Sequence, residues 1–173
     1  TYEALLSEDF DLGQKLMMLE EYLQKLLTDK QDTARGDHLF SVLSEQYPYE
    51  PDVLDLAARY SAAKGNFKEA CEQIGYAIDL SPSEEKYRGQ LMTYMMADDR
   101  ADDAVKTYRE LEAHMTPSRN LMVLYASAAQ MADDFDTAIK AYRDILRDIA
   151  PSLPLDTALA AQNIPASIQY DDL

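Results

Sequence analysis

The segment Gly65-Asn66-Phe67-Lys68-Glu69-Ala70 separates two stretches of helical periodicity, and it decides the fold. Its final alanine recurs at intervals of 34 residues, as Ala70, Ala104 and Ala138. Large side chains stand four positions after each alanine, at Ile74, Tyr108 and Tyr142. Prolines close the copies at Pro82, Pro117 and Pro151. The recurrence of a small residue, a large residue four positions later and then a proline indicates one structural unit repeated along the chain.

Each copy is predicted to be a pair of antiparallel helices. The alanine position must be small because two helix backbones approach there, and the larger residue lies one turn along the same face. Proline ends the second helix because it cannot extend the hydrogen-bond ladder. The turn between the helices needs a residue that tolerates left-handed φ, which Gly65, Asp99 and Asp133 provide. We expect N-caps close by, at Asn66, Asp102 and Asp134.

The copies are not uniform. Pro117 and Pro151 come one residue late, which predicts an extra residue near the end of the helices before them. A weaker copy lies upstream, with corresponding residues at Gly36, Phe40, Leu43 and Pro48. Its first helix is predicted from about Leu12 to Lys30, with an apolar stripe formed by Leu16, Leu19, Leu23, Leu26 and Leu27.

The pattern resembles the tetratricopeptide repeat, a helix pair of 34 residues. The best copy, 51–84, has matching residues at Gly65, Phe67, Ala70, Ile74, Ala77 and Pro82. It departs from the family in its first helix, where the Trp, Gly and Tyr positions hold Leu54, Ala58 and Ser61. The resemblance implies an all-α fold, an α-solenoid of antiparallel helix pairs wound into a right-handed superhelix.

The resemblance also divides the chain into segments. Residues 1–16 are expected to be a lead-in with part of a helix, and 17–50 to be the weak repeat. Three repeats follow, at 51–84, 85–118 and 119–152, and a short helix with a tail or linker at 153–173. Because the chain begins with Thr1 and shows no clear capping helix near its end, we expect a piece of a longer protein.

In the tetratricopeptide family, one side of the first helices lines a concave groove that binds peptides. The resemblance therefore implies a set of binding residues, namely Asp55, Arg59, Lys86, Thr93, Met96, Asn120, Val123, Ser127 and Gln130. All groove positions together carry four acids and three bases: Glu21, Asp29, Asp52 and Asp55 against Lys25, Arg59 and Lys86. The groove is thus nearly neutral, and it lacks the lysine and asparagine with which some family members clamp a terminal carboxylate.

Charge and hydropathy exclude several classes of partner. The formal net charge is −16, so a nucleic-acid backbone or an anionic membrane surface would be repelled. No apolar run approaches the roughly 20 residues that a membrane span needs, so no membrane insertion is expected. The hydrophobic content of 47% is normal for a folded protein.

Residue types that carry chemistry are few and scattered. His38 and His114 fall in different repeats, and neither has a metal-ligand partner at suitable spacing. Cys71 follows the alanine position and is expected to be a buried or half-buried free thiol. The acidic clusters at 98–103 and 133–136 lack the order of a calcium loop and occupy turns, where aspartates favour helix starts. We therefore expect no metal, no cofactor and no catalysis.

The sequence predicts a non-catalytic module for protein–protein interaction, an adaptor or scaffold that holds a peptide or protein segment in its concave groove. The alternative is a structural spacer or a self-association segment of a larger protein. The expected partner is a protein or peptide, and a second copy of the chain is a further candidate.

Overall fold

The computed structural model describes Ser7, 10–29 and 33–149 of the 173 residues. All regular secondary structure in this part of the chain is α-helix, which confirms the predicted all-α fold. The helices are α1 (Leu12–Asp29), α2 (Thr33–Gln46), α3 (Pro51–Ala63), α4 (Phe67–Leu80), α5 (Glu85–Ala97), α6 (Ala101–Glu112), α7 (Arg119–Met131) and α8 (Phe135–Ile149).

The 34-residue interval governs where helices begin. First helices of the pairs begin at Pro51, Glu85 and Arg119, and second helices begin at Phe67, Ala101 and Phe135. Both series advance by the interval read from the alanines. The first helices also end at this interval, at Ala63, Ala97 and Met131, whereas the ends of the second helices vary.

The turn inside each of these pairs has three residues, and its middle residue is left-handed. The φ angles are +81° at Gly65, +56° at Asp99 and +58° at Asp133, which confirms the predicted turn chemistry. In the first turn the N–H of Asn66 donates to the carbonyl of Ser61 at 2.9 Å. The N–H of Asp134 likewise donates to the carbonyl of Ala129 at 2.9 Å, so these backbone bonds satisfy carbonyls left open at the helix end.

The chain divides into two compact units, one ending at Asp98 and one beginning at Asp99. In unit 1, α3 packs on α4 and α4 on α5, and α3 also contacts α1 and α2. In unit 2, α6 packs on α7 and α7 on α8. Neighbouring helices thus pack in chain order, as in a helical repeat, while the handedness of a superhelix stays a prediction.

The repeated small residues lie in the core. Ala70, Ala104 and Ala138 are fully buried, as expected where helices approach closely. Gly36 holds the same place in the weak copy, and a Cβ built on it would lie 2.5 Å from the Tyr60 hydroxyl oxygen. The ring of Tyr60 stacks on Phe40 with centroids 4.1 Å apart, so this aromatic pair fills the space that an alanine would need.

Two details of the predicted helices are wrong. Leu27 is 56% exposed, because the buried stripe of α1 includes Tyr22 instead. The extra residue before Pro117 lies in the connection after α6, which ends early at Glu112; the one before Pro151 does lengthen α8.

The predicted N-caps have different outcomes. Asp134 precedes α8 and accepts a hydrogen bond from the N–H of Thr137 at 3.2 Å, which confirms it as a cap. Asn66 occupies the cap position of α4 without a side-chain bond to the helix. Asp102 lies inside α6, whose cap residue is Arg100, so that prediction is wrong. The expected short helix at about 156–162, the tail and half of the lead-in fall outside the described residues.

Candidate functional site

The first-helix face of unit 1 is the side of α1, α3 and α5 on which most of its predicted binding residues lie. Its residues are Glu20, Asp52, Asp55, Arg59, Lys86, Gln90, Thr93 and Met96. On α3 and α5 they recur at three- and four-residue steps, so each helix presents one stripe. The polar side chains of these stripes join one helix to the next.

Arg59 connects α3 to α1. Its Nη1 donates to Glu20 Oε1 at 2.7 Å, and its Nη2 pairs with the other carboxylate oxygen. This two-pronged bond lowers the pKa of Glu20, and it raises the pKa of Arg59, so both groups stay charged. Arg59 Nε also lies 3.6 Å from Asp55 Oδ1 on the same helix.

Asp55 connects α3 to α5. Its side chain is only 13% exposed, and its Oδ1 accepts a hydrogen bond from Gln90 Nε2 at 2.7 Å. Lys86 Nζ lies 3.9 Å from Asp55 Oδ2 and 3.4 Å from Asp52 Oδ1. A half-buried carboxylate is thus compensated by an amide, an ammonium and a guanidinium.

The buried side chain of Tyr94 lies next to these groups. Burial raises the pKa of its hydroxyl to about 12, and the nearby negative charge of Asp55 acts in the same direction. The phenol is therefore neutral under ordinary conditions. It supplies apolar surface under the polar connections.

Thr93 and Met96 are the predicted binding residues on α5 that take no part in these connections. Thr93 is exposed, and its hydroxyl donates to the carbonyl of Gly89 at 2.8 Å in its own helix. Met96 is half-buried. An approaching molecule would meet a methyl group and a thioether here without breaking a contact between helices.

The predicted binding residues of unit 2 all lie on α7. Asn120 and Val123 are exposed, whereas Ser127 and Gln130 are half-buried. Ser127 Oγ lies 3.2 Å from the hydroxyl of Tyr142, a hydrogen bond that joins α7 to the buried side of α8. Ser127 therefore supports the packing of this unit as well as belonging to the predicted set.

Sequence reasoning did not find Glu20, Gln90 or Tyr94. Gln90 could have been noticed, because it stands where the neighbouring copies have Leu56 and Leu124. A polar residue at an apolar position of a repeat indicates a partner across the helix interface. Glu20 carries no such signal, since it is one of several acids on an amphipathic helix.

Both cations of this face are paired, since Arg59 and Lys86 have the partners described above. The acids Glu20, Asp52 and Asp55 exceed these two cations by one, which leaves a face close to neutral. A ligand carboxylate would find no uncommitted cation on it.

Groups with catalytic or metal-binding potential lie apart in the described residues. His38 and His114 are exposed, and Cys71 is half-buried as predicted. Within 10–29 and 33–149, no three His, Cys, Asp or Glu side chains come together as metal ligands. None of the helices described is both long and apolar enough for a membrane span.

Neither a comparison with models of protein families nor a search of curated proteins finds a match for this chain. The resemblance to tetratricopeptide repeats therefore stands on the residues themselves.

Proposed function

We propose that this chain is a non-catalytic interaction module of the tetratricopeptide-repeat kind, which binds a peptide or protein segment on the first-helix face of unit 1. The proposal extends to an adaptor or scaffold role in a larger assembly. Asn120, Val123, Ser127 and Gln130 of unit 2 remain proposed contacts in their own right.

One observation carries the proposal: separate polar contacts fix α1, α3 and α5 side by side. The bonds from Arg59 to Glu20 and from Gln90 to Asp55 hold the helices before any ligand arrives. A surface that is already ordered loses little conformational entropy on binding. Rigid neighbouring helices with exposed small and polar side chains suit an extended segment.

The chemistry of recognition follows from the paired charges. Since Arg59 and Lys86 are engaged within the molecule, a partner gains most from uncharged contacts. Thr93 offers a hydroxyl and a methyl group, and Met96 offers a flexible thioether. Charged Asp52 and Lys86 at the edge would adjust specificity more than affinity.

The test uses two arginines on α5, Thr93→Arg with Ala97→Arg, because both positions are exposed and lie one helical turn apart. Arginine near a helix C-terminus is compatible with helix stability. The matched control is Tyr76→Arg with Leu80→Arg, an exposed pair on α4 with the same spacing and charge change. Ser127 is unsuitable for substitution, since arginine there would disturb its bond to Tyr142.

Each variant is used for affinity capture from the source cell extract, with helicity measured by circular dichroism. We expect the wild type and the α4 variant to capture the same partner and the α5 variant to lose it. Equal capture by both variants would remove the first-helix face from consideration. Light scattering tests the alternative: a stable dimer disrupted only by the α5 variant would favour self-association.

A further inference from the structure

A second site lies on the other side of α3. A cavity of about 580 Å³ opens within unit 1 between α2, α3 and α4. Its wall on α3 consists of Ala57, Tyr60 and Ser61, which a turn of about 100° per residue places opposite Asp55 and Arg59. The cavity is therefore separate from the first-helix face, and the two can be tested independently.

The lining carries three carboxylates, Asp37, Glu45 and Glu69, against one cation, Lys64. Ser41 Oγ donates to Glu45 at 3.1 Å, and Gln73 Nε2 donates to Glu69 at 3.4 Å. In the described part of the chain, neither Glu45 nor Glu69 forms an ion pair with a cation. The cavity thus has two carboxylates held by neutral groups and lacking a counter-charge.

One edge of the cavity already holds an ammonium group of the chain itself. Lys64 Nζ pairs with Asp37, and it lies 5.2 Å from the centroid of the Tyr60 ring. Tyr60 OH also donates to Asp37 at 2.9 Å. A carboxylate beside a stacked aromatic ring is a combination that selects organic cations. The contact made by Lys64 shows the kind of ligand that this wall accepts.

We propose that the cavity binds an organic cation, an alkylammonium or guanidinium group, with Glu45 and Glu69 as its counter-charges. Ser44 and Ser61 supply further polar groups to the wall. An anion would be repelled by the three carboxylates. A metal ion is disfavoured because the carboxylates do not come together as a ligand set. The cation comes either from a free polyamine or from a lysine or arginine of a polypeptide.

The repeat supplies an internal comparison. A smaller cavity of about 300 Å³ lies at the corresponding place of unit 2, between α6, α7 and α8. Two repeats on, Ser41 corresponds to Arg109 and Glu69 to Thr137. That second cavity is lined by two cations and two carboxylates, Arg109, Lys140, Glu112 and Asp144. Because these charges balance, an organic cation is predicted to perturb unit 1 and to leave the cavity of unit 2 unchanged.

The experiment is a titration of the isotopically labelled full chain, followed by two-dimensional NMR. The two probes are spermidine and the capped peptide acetyl-Gly-Lys-Gly-Arg-Gly-amide. We expect saturable shifts at Ser41, Ser44, Ser61 and Gln73. Stronger binding of spermidine identifies a free polyamine as the ligand, and stronger binding of the peptide identifies a polypeptide side chain.

Three variants decide the assignment. Glu45→Gln with Glu69→Gln should weaken binding about tenfold, because both counter-charges are removed. The control, Asp79→Asn with Glu110→Gln, removes the same charge outside the cavity and should change affinity less than about twofold. Lys64→Met should strengthen binding, since it removes the competing ammonium. Equal weakening by both double variants, or shifts confined to other residues, would overturn the proposal.

Discussion

At the scale of single residues, the middle position of the turn inside each helix pair shows why aspartate can replace glycine. Gly65, Asp99 and Asp133 share one backbone conformation, and an added Cβ at Gly65 would contact nothing within 4 Å. Glycine is therefore favoured there by its φ angle and not by a lack of space. Aspartate tolerates the same φ at a small cost, so the turn is preserved although its residue type changes.

At Gly36 a glycine is required by space and not by φ, and this gives the first prediction. Gly36→Ala should destabilise the protein by about 1–2 kcal/mol, because the added methyl group meets the buried Tyr60 ring and this overpacking exceeds the gain in helix propensity. Chemical denaturation monitored by circular dichroism measures the difference.

Gly75 is the control for this prediction. It also lies inside a helix, α4, but a Cβ there would meet nothing within 4 Å. Gly75→Ala should therefore stabilise the protein by up to about 1 kcal/mol. Changes of the same sign at both positions would show that packing against Tyr60 is not the deciding factor.

At the scale of helices, the bond between Glu20 and Arg59 holds α1 on α3. The two side chains are 38% and 32% exposed, so solvent screens the pair. A double-mutant cycle with Glu20→Gln and Arg59→Met should give a coupling of about 1 kcal/mol. The exposed pair Lys106–Glu110 on α6 is the comparison, with an expected coupling of about 0.3–0.5 kcal/mol.

The same bond predicts a pH dependence. Because Arg59 lowers the pKa of Glu20 in the folded chain, the bond stabilises the folded protein fully at pH values above the ordinary carboxyl pKa. This contribution to stability is lost as the pH falls through the lowered pKa of Glu20. Arg59→Met should therefore lose less stability than the wild type between neutral and strongly acidic pH. An unchanged pH profile would mean that the bond is not formed in solution.

The sequence predicted the helices better than the contacts between them. Periodicity identifies Ala70 and its equivalents as buried, since one interval fixes their place in each helix. It cannot identify Glu20 as the partner of Arg59, because the two are 39 residues apart and meet only through the packing of α1 on α3. The cavity between α2 and α4 was missed for the same reason: its residues come from three helices.

At the scale of the whole molecule, the net charge of −16 opposes compaction. Raising ionic strength from about 0.01 M to about 0.15 M shortens the screening length from about 30 Å to about 8 Å. Repulsion between distant acids then weakens more than the attraction in close ion pairs. We expect the midpoint of thermal unfolding to rise by about 2–4 °C, as measured by calorimetry in sodium chloride.

Sodium sulfate at matched ionic strength is the companion measurement, because sulfate also strengthens apolar burial and should raise the midpoint further. A midpoint that falls with sodium chloride would mean that the local ion pairs outweigh the long-range repulsion.

The constant distance between helix starts has a consequence for how such a chain can change its length. If 34 residues are duplicated or lost between α3 and α8, equivalent positions are rejoined, so each hairpin that remains there keeps its left-handed turn residue and its small buried residue. Adding a whole hairpin therefore needs no compensating substitutions in the connections between helices. An insertion of another length would have to lie in one of the longer connections, such as the one before α7.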